Sequence, residues 1–237
     1  IMIIQQTALI TGGSQGIGAA IASTLLDLGM NVAVTGRDAT KLSALENQLN
    51  ASGNKPLLCI EADVRDRYEM DRVVKSCNEK FGKIGIVIAN AGVGSFVSID
   101  EMSYDLWHQT INTNLTGVFN TLKSSLEDLK SSQGYFITMA SLAGTNFFEK
   151  ASAYNASKFG LVGFTQAVML DLRKFGIKVT TIMPGSVATH FNDHVPDEKD
   201  AWKIQPEDIA QIVVDLLKMP TRTLPSKIEV RPSFPSK

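Results

Sequence analysis

Cysteine is scarce: Cys59 and Cys77 are the two in 237 residues. Two thiols at that spacing build neither a disulfide framework nor a metal cage, so both are expected to be buried and free in a reducing cytoplasm. Histidine is scarce as well, with three. His190 and His194 stand four apart, as metal ligands on one helical face do, but no acidic motif or third ligand joins them, and no metal is expected. Charge of one sign is also missing. Lys plus Arg total 23 against 24 for Asp plus Glu, a formal net charge of -1. That balance argues against a nucleic-acid partner or a polybasic membrane surface. No apolar run approaches the ~18–20 residues of a membrane span. The chain start lacks a basic segment and a small-residue cleavage site, which predicts no secretory leader. Ile1, ahead of Met2, is set aside, and the expected domain is 2–237.

Repeats, low-complexity tracts and linkers are absent before the last dozen residues. What is present is alternation. Short β-rich runs at 3–10, 31–35, 56–62, 84–89, 135–139, 177–183 and 227–231 are separated by amphipathic helical stretches. Those stretches lie near 16–28, 38–51, 66–80, 103–131, 153–175 and 206–218. Nearly continuous apolar runs such as Ile86-Val87-Ile88 suit a sheet covered on both faces. The order predicts an α/β chain: a three-layer, doubly wound Rossmann fold with a mainly parallel seven-stranded sheet. At 44% hydrophobic content the chain can bury one large core.

The first strand runs into Thr11-Gly12-Gly13-Ser14-Gln15-Gly16-Ile17-Gly18, where a helix opens. Glycines there permit a tight turn, let the backbone approach a pyrophosphate and seat the helix close to the sheet. The helix start then offers N–H groups and partial positive charge to phosphates. Turns are glycine-rich in general, so the strand–glycine–helix order carries the argument.

The second strand, Val32-Ala33-Val34-Thr35, ends in Gly36 and Arg37. NAD sites usually place a carboxylate there for the ribose hydroxyls, whereas a guanidinium grips a 2′-phosphate. Asp38 is near the carboxylate spacing, but it opens the next helix and suits an N-cap better. NADP(H) is therefore favoured over NAD(H), with a solvated surface charge as the alternative for Arg37.

Ser141, Tyr154 and Lys158 follow in the second half, with Asn114 upstream. Taken with the glycine segment, the sequence resembles the compact, single-domain branch of the short-chain dehydrogenase/reductase family, in particular its 3-oxoacyl-reductase-like members, over nearly its whole length. Thr11 to Gly18 fits the T-G-x-x-x-G-x-G signature of that family, and Tyr154 to Lys158 fits Y-x-x-x-K, 13 positions after Ser141. Asp63-Val64 matches the pair that the resemblance assigns to the adenine ring. Ala89-Asn90-Ala91-Gly92 matches the motif after the fourth strand, whose commonest form begins with a second asparagine. Asn114 matches the catalytic asparagine through Asn-Leu-Thr-Gly. Pro184-Gly185-Ser186-Val187-Ala188-Thr189 resembles the P-G-x-x-x-T segment that closes over the nicotinamide, which would bring Pro184, Gly185, Val187 and Thr189 to the cofactor.

Tyr154 and Lys158 are four apart on a predicted helix and share one face. A phenol titrates near ~10; a nearby ammonium is expected to lower it, as is an oxidised nicotinamide, and an acid/base works best near the working pH. The expected reaction is hydride transfer between NADP(H) and a carbonyl or alcohol substrate, with Tyr154 as proton donor and Ser141 steadying the oxygen. Lys158 tunes the tyrosine and holds the nicotinamide ribose; the resemblance implies a water held by Asn114 behind it. The bland readings are a helix-face contact for Tyr154 and Lys158, a buried amide or cap for Asn114 and a turn serine for Ser141. A non-catalytic NADP(H)-sensing protein on the same fold is the rival function.

The segment 190–205, short and charged, is expected to be a mobile substrate lid. Trp107, Phe147 and Phe148 are candidates for substrate contact or packing. The long helices near 103–131 and 153–175 carry broad apolar faces, and the resemblance implies a homodimer or homotetramer. Substrate candidates are a 3-oxoacyl thioester, a sugar or polyol, a steroid-like ketone and a small aldehyde.

Overall fold

Runs such as Thr7-Ala8-Leu9-Ile10-Thr11 have no polar alternation, and in the computed structural model of the protein every one of those residues is buried. The structure describes residues 6–234. The strands are β1 (Thr7–Thr11), β2 (Asn31–Gly36), β3 (Leu57–Glu61), β4 (Ile84–Ala89), β5 (Tyr135–Met139), β6 (Lys178–Pro184) and β7 (Lys227–Val230). The expected start of the first strand, 3–5, lies outside the described residues. The strands form one sheet in the order β3-β2-β1-β4-β5-β6-β7. All six ladders are parallel. The chain winds outward from β1 to β3, then returns to the other side of β1 as β4. That reversal opens a crevice outside the carboxyl ends of β1 and β4, where open α/β sheets bind ligands.

The helices are α1 (Gly16–Asp27), α2 (Ala39–Leu49), α3 (Arg67–Phe81), α4 (Tyr104–Ile111), α5 (Gly117–Ser132), α6 (Ser152–Leu172) and α7 (Pro206–Lys218). One apolar layer packs α1, α2 and α7 on one face through Ile21, Leu25, Leu42 and Val213. A second packs α3, α5 and α6 on the other through Met70, Val73, Leu129 and Leu161. Side-chain caps set three of the helix starts: Asp38 accepts from the Lys41 N–H, Asp66 from those of Tyr68 and Glu69, and Ser103 from that of Leu106. No described helix is long and apolar enough to cross a membrane.

One expected element is broken. The stretch near 103–131 is not a single α-helix; a π-helical turn, Asn112–Thr116, joins α4 to α5. The apolar spacing runs through it, so periodicity alone could not show the wider turn. Such turns are frequent at functional sites. This one holds the buried Asn114.

Candidate active site

The crevice has a volume of about 1320 Å³. That exceeds the ~300–1,000 Å³ of an ordinary small-molecule pocket and leaves room for a ligand of dinucleotide size beside a smaller one. Its floor is the turn after β1. Gly12 has φ +63, and a Cβ there would stand 2.6 Å from Ala91 Cα, so only glycine fits. The Asn90 side-chain amide donates to the Thr11 and Gly12 carbonyls at 3.1 and 2.8 Å. The Thr11 hydroxyl accepts from the Asn90 and Ala91 N–H groups, both at 3.2 Å. Asn90 is thus a strut for the turn as well as a lining residue.

Gly12, Ser14, Gln15, Gly16 and Ile17 line the crevice, whereas Gly18 does not. A Cβ on Gly18 would lie 2.6 Å from the Gly12 carbonyl oxygen and 2.7 Å from Asn90 Nδ2, so that glycine serves packing rather than ligand contact. No side chain caps α1, and its first turn holds no acid. The helix therefore presents uncapped N–H groups and its positive end to the crevice.

Beyond the turn lie Arg37, Asp63 and Val64. Asp38 does cap α2, at 3.0 Å from the Lys41 nitrogen. Lys41 lines the crevice next to Arg37, a second cation that the sequence reading missed. Burial would raise the Asp63 carboxyl. Hydrogen bonds from Arg65, the side-chain pair at 2.6 and 2.8 Å, and the charge of Arg37 outweigh it and hold the group below its ordinary range.

At the other end Ser141, Tyr154 and Lys158 line the same wall as Ala91 and Gly92. The Ser141 hydroxyl accepts from the Ala143 N–H at 3.1 Å. Lys158 Nζ donates to the Met139 carbonyl at 2.9 Å and lies 5.7 Å from the centre of the Tyr154 ring. Burial pushes the Lys158 ammonium down to about 8. Burial also pushes the Tyr154 phenol up, and a hydrogen bond with Ser141 only partly offsets this. The expected lowering of the phenol by the ammonium is therefore not a property of the protein alone. Tyr154 is 8% exposed, so desolvation outweighs its neighbours.

Asn114 is fully buried and does not line the crevice. Its Oδ1 accepts from the Val93 N–H at 2.8 Å, and its Nδ2 donates to the Val93 carbonyl at 2.9 Å and to the Ser157 hydroxyl at 3.0 Å. It still borders the cation: a Cβ on Gly92 would lie 3.3 Å from Asn114 Oδ1 and 3.6 Å from Lys158 Nζ.

Pro184, Gly185, Val187 and Thr189 line the crevice above β6. The Gly185 N–H donates to the Val230 carbonyl at 2.8 Å, and that of Ala188 to the Ile204 carbonyl at 2.9 Å. The segment 190–205, expected to be a lid, has its own polar anchor. Asp200, 6% exposed, receives Lys203 at 2.6 Å and the ring of His194. Those two partners hold its carboxyl down to about 2.

Of the aromatic candidates, Phe148 lines the crevice and Trp107 and Phe147 do not. Phe147 stacks on Phe159 with ring centres 5.2 Å apart. Two phenylalanines not singled out from the sequence, Phe96 and Phe191, reach Tyr154 instead. The available signal was position: Phe96 follows Gly92 by four residues and Phe191 follows Thr189 by two.

The profile of the short chain dehydrogenase family matches residues 6–200. An uncharacterized oxidoreductase of Staphylococcus saprophyticus is 32% identical over 96% of this chain and 97% of its own. An alcohol dehydrogenase from the archaeon Thermococcus sibiricus, solved with 5-hydroxy-NADP, superposes with a TM-score of 0.90 at 28% identity, covering 96% of this chain and 97% of that one. A metagenomic short-chain oxidoreductase solved with NADP gives 0.86 at 29% identity, covering 99% and 100%.

Proposed function

This chain belongs to the short-chain dehydrogenase family, and on that premise we propose that it moves a hydride between NADP(H) and a carbonyl or alcohol substrate, with Tyr154 as general acid and base. The observation that carries the proposal is the meeting of Ser141, Tyr154 and Lys158 in the crevice that begins at the uncapped start of α1.

The residues present fit the dinucleotide. The α1 start and the Gly12 to Ile17 turn would take the pyrophosphate. Arg37 and Lys41 would take the 2′-phosphate, their two positive charges outnumbering that of Asp38, which lines the same crevice with one carboxylate oxygen engaged by the Lys41 N–H. Asp63 and Val64 would border the adenine. Pro184 to Thr189 would cover the nicotinamide. Bound there, the reduced ring supplies a hydride to the carbonyl carbon.

Tyr154 gives its phenolic proton to the carbonyl oxygen in reduction and takes it back in oxidation. Ser141 donates to that oxygen and steadies its developing charge. Lys158 sets the phenol's proton affinity, because a charged ammonium favours the phenolate once the nicotinamide adds its own positive charge. Asn114 is a positioning residue: it fixes the Val93 backbone and Ser157 beside Lys158. For the assembly, Phe119 on α5 with Phe159 and Leu170 on α6 form an exposed apolar face that suits pairing across a two-fold axis.

Tyr154→Phe tests the central role. It is expected to lower kcat by 100-fold or more, about 3 kcal/mol, while NADPH binding by fluorescence stays within a few-fold. A variant that keeps most of its rate removes Tyr154 as the acid. Tight NADPH binding by the unaltered protein, with no turnover on a broad panel of ketones and aldehydes, supports the sensor instead.

A further inference from the structure

Two phenyl rings that take no part in proton or hydride transfer lean on the acid. Phe96 comes from the segment after β4 and Phe191 from the lid. Their ring centres lie 5.4 and 5.9 Å from that of Tyr154, tilted by 51° and 53°. Both line the crevice and stay half exposed. Leu142, Ala143 and Phe148 continue the same apolar wall past Ser141. Apolar area of this kind beside a reacting group is a recognition surface for part of a ligand.

Gly94 explains how both rings reach the acid. A Cβ there would stand 2.5 Å from the Phe191 ring and 3.1 Å from that of Phe96. Its φ is not in the left-handed region, so the backbone does not demand glycine. The rings do. Any side chain at 94 would displace Phe191 from its place over Tyr154.

We propose that Phe96 and Phe191 clamp a flat apolar group carried on the reacting carbonyl, which makes aryl and alkenyl ketones, with their alcohols, the substrate class and Gly94 a specificity-determining residue. The proposal rests on the hydride-transfer reading above. Ring faces reward another flat π-system through offset or edge contacts. A sugar or polyol pressed against the same rings loses water from hydroxyls that the rings cannot satisfy.

The test uses the full chain with NADPH and three ketones: acetophenone, 2-butanone and dihydroxyacetone. Ratios of kcat/KM between ketones, compared across variants, cancel the intrinsic reactivity of each carbonyl. Phe191→Ala and Gly94→Ala are each expected to lower the acetophenone to 2-butanone ratio by about five- to tenfold. Calorimetry on the NADP⁺-loaded protein is expected to show a similar loss of acetophenone affinity. NADPH binding and thermal melting confirm that each variant is folded, and Phe191→Ala carries the test if Gly94→Ala does not fold. Acetophenone ratios to 2-butanone and to dihydroxyacetone, and an acetophenone affinity, that are unmoved in the folded variants overturn the clamp while leaving hydride transfer standing. Acetophenone binding that weakens in the variants without reduction of any ketone supports the clamp and removes the hydride-transfer reading instead.

Discussion

Lys158 Nζ sits 2.9 Å from the Met139 carbonyl oxygen at the end of β5 and 5.7 Å from the centre of the Tyr154 ring. One buried cation thus ties the sheet to the acid. It does so at a cost, since burial drives its pKa from 10.5 to about 8.

That cost is measurable. The unfolded chain keeps the lysine protonated to about pH 10.4, so between pH 8 and that point it binds more protons than the folded chain. Stability then rises with pH across the window, and below it the full penalty applies, roughly 3 kcal/mol. Lys158→Met removes the charge at similar length and leaves the Met139 carbonyl without its donor, a loss of about 1 kcal/mol. The variant without cofactor is expected to be about 2 kcal/mol more stable at pH 7 by urea unfolding, with the gain gone by pH 10.5, and to be inactive. Equal stability at pH 7 contradicts the burial argument.

Arg37 and Lys41 border the same end of the crevice. If they receive a 2′-phosphate, Arg37→Ala removes charge-assisted hydrogen bonds worth roughly 1.5–3 kcal/mol. NADPH affinity is expected to fall about 10- to 100-fold while NADH affinity changes less than threefold, both read by fluorescence titration. Equal losses for the two dinucleotides sink the assignment, and Lys41→Ala should repeat the pattern more weakly.

Much of this site was legible in the sequence because its residues sit at strand ends. Gly12 follows β1, Asn90 follows β4 and Ser141 follows β5, so a parallel sheet brings them together whatever the loops do. Helical spacing puts Tyr154 and Lys158 on one face, but it took Ser141 and the glycine segment beside them to mark the pair as a site. The π turn at Asn114 was hidden because its apolar spacing passes for an ordinary helix. Phe96 and Phe191 were hidden because loop paths, and the missing side chain at Gly94, decide which aromatic faces the crevice. Asp200 reads as one more lid charge, yet it is buried because Lys203 and His194 converge on it.

That convergence gives the proposed lid, 190–205, a polar anchor independent of any ligand. Asp200→Ala leaves Lys203 and His194 facing an empty partner position and removes the carboxylate that also accepts from the Asp197 N–H at 3.4 Å. His194, Trp202 and Lys203 line the crevice, so a loosened segment is expected to raise KM for the carbonyl several-fold with a smaller change in kcat. Limited proteolysis should then cut within 190–205 at protease levels that spare the unaltered chain. The sign with pH follows from the carboxyl held down to about 2. Its contribution is complete above the ordinary carboxylate range near pH 4 and is lost as pH falls towards 2. Lid protection from an acid-active protease such as pepsin should fade over that interval in the unaltered chain and be low throughout in the variant. Cleavage that is the same in both chains at pH 4 rules Asp200 out as the anchor.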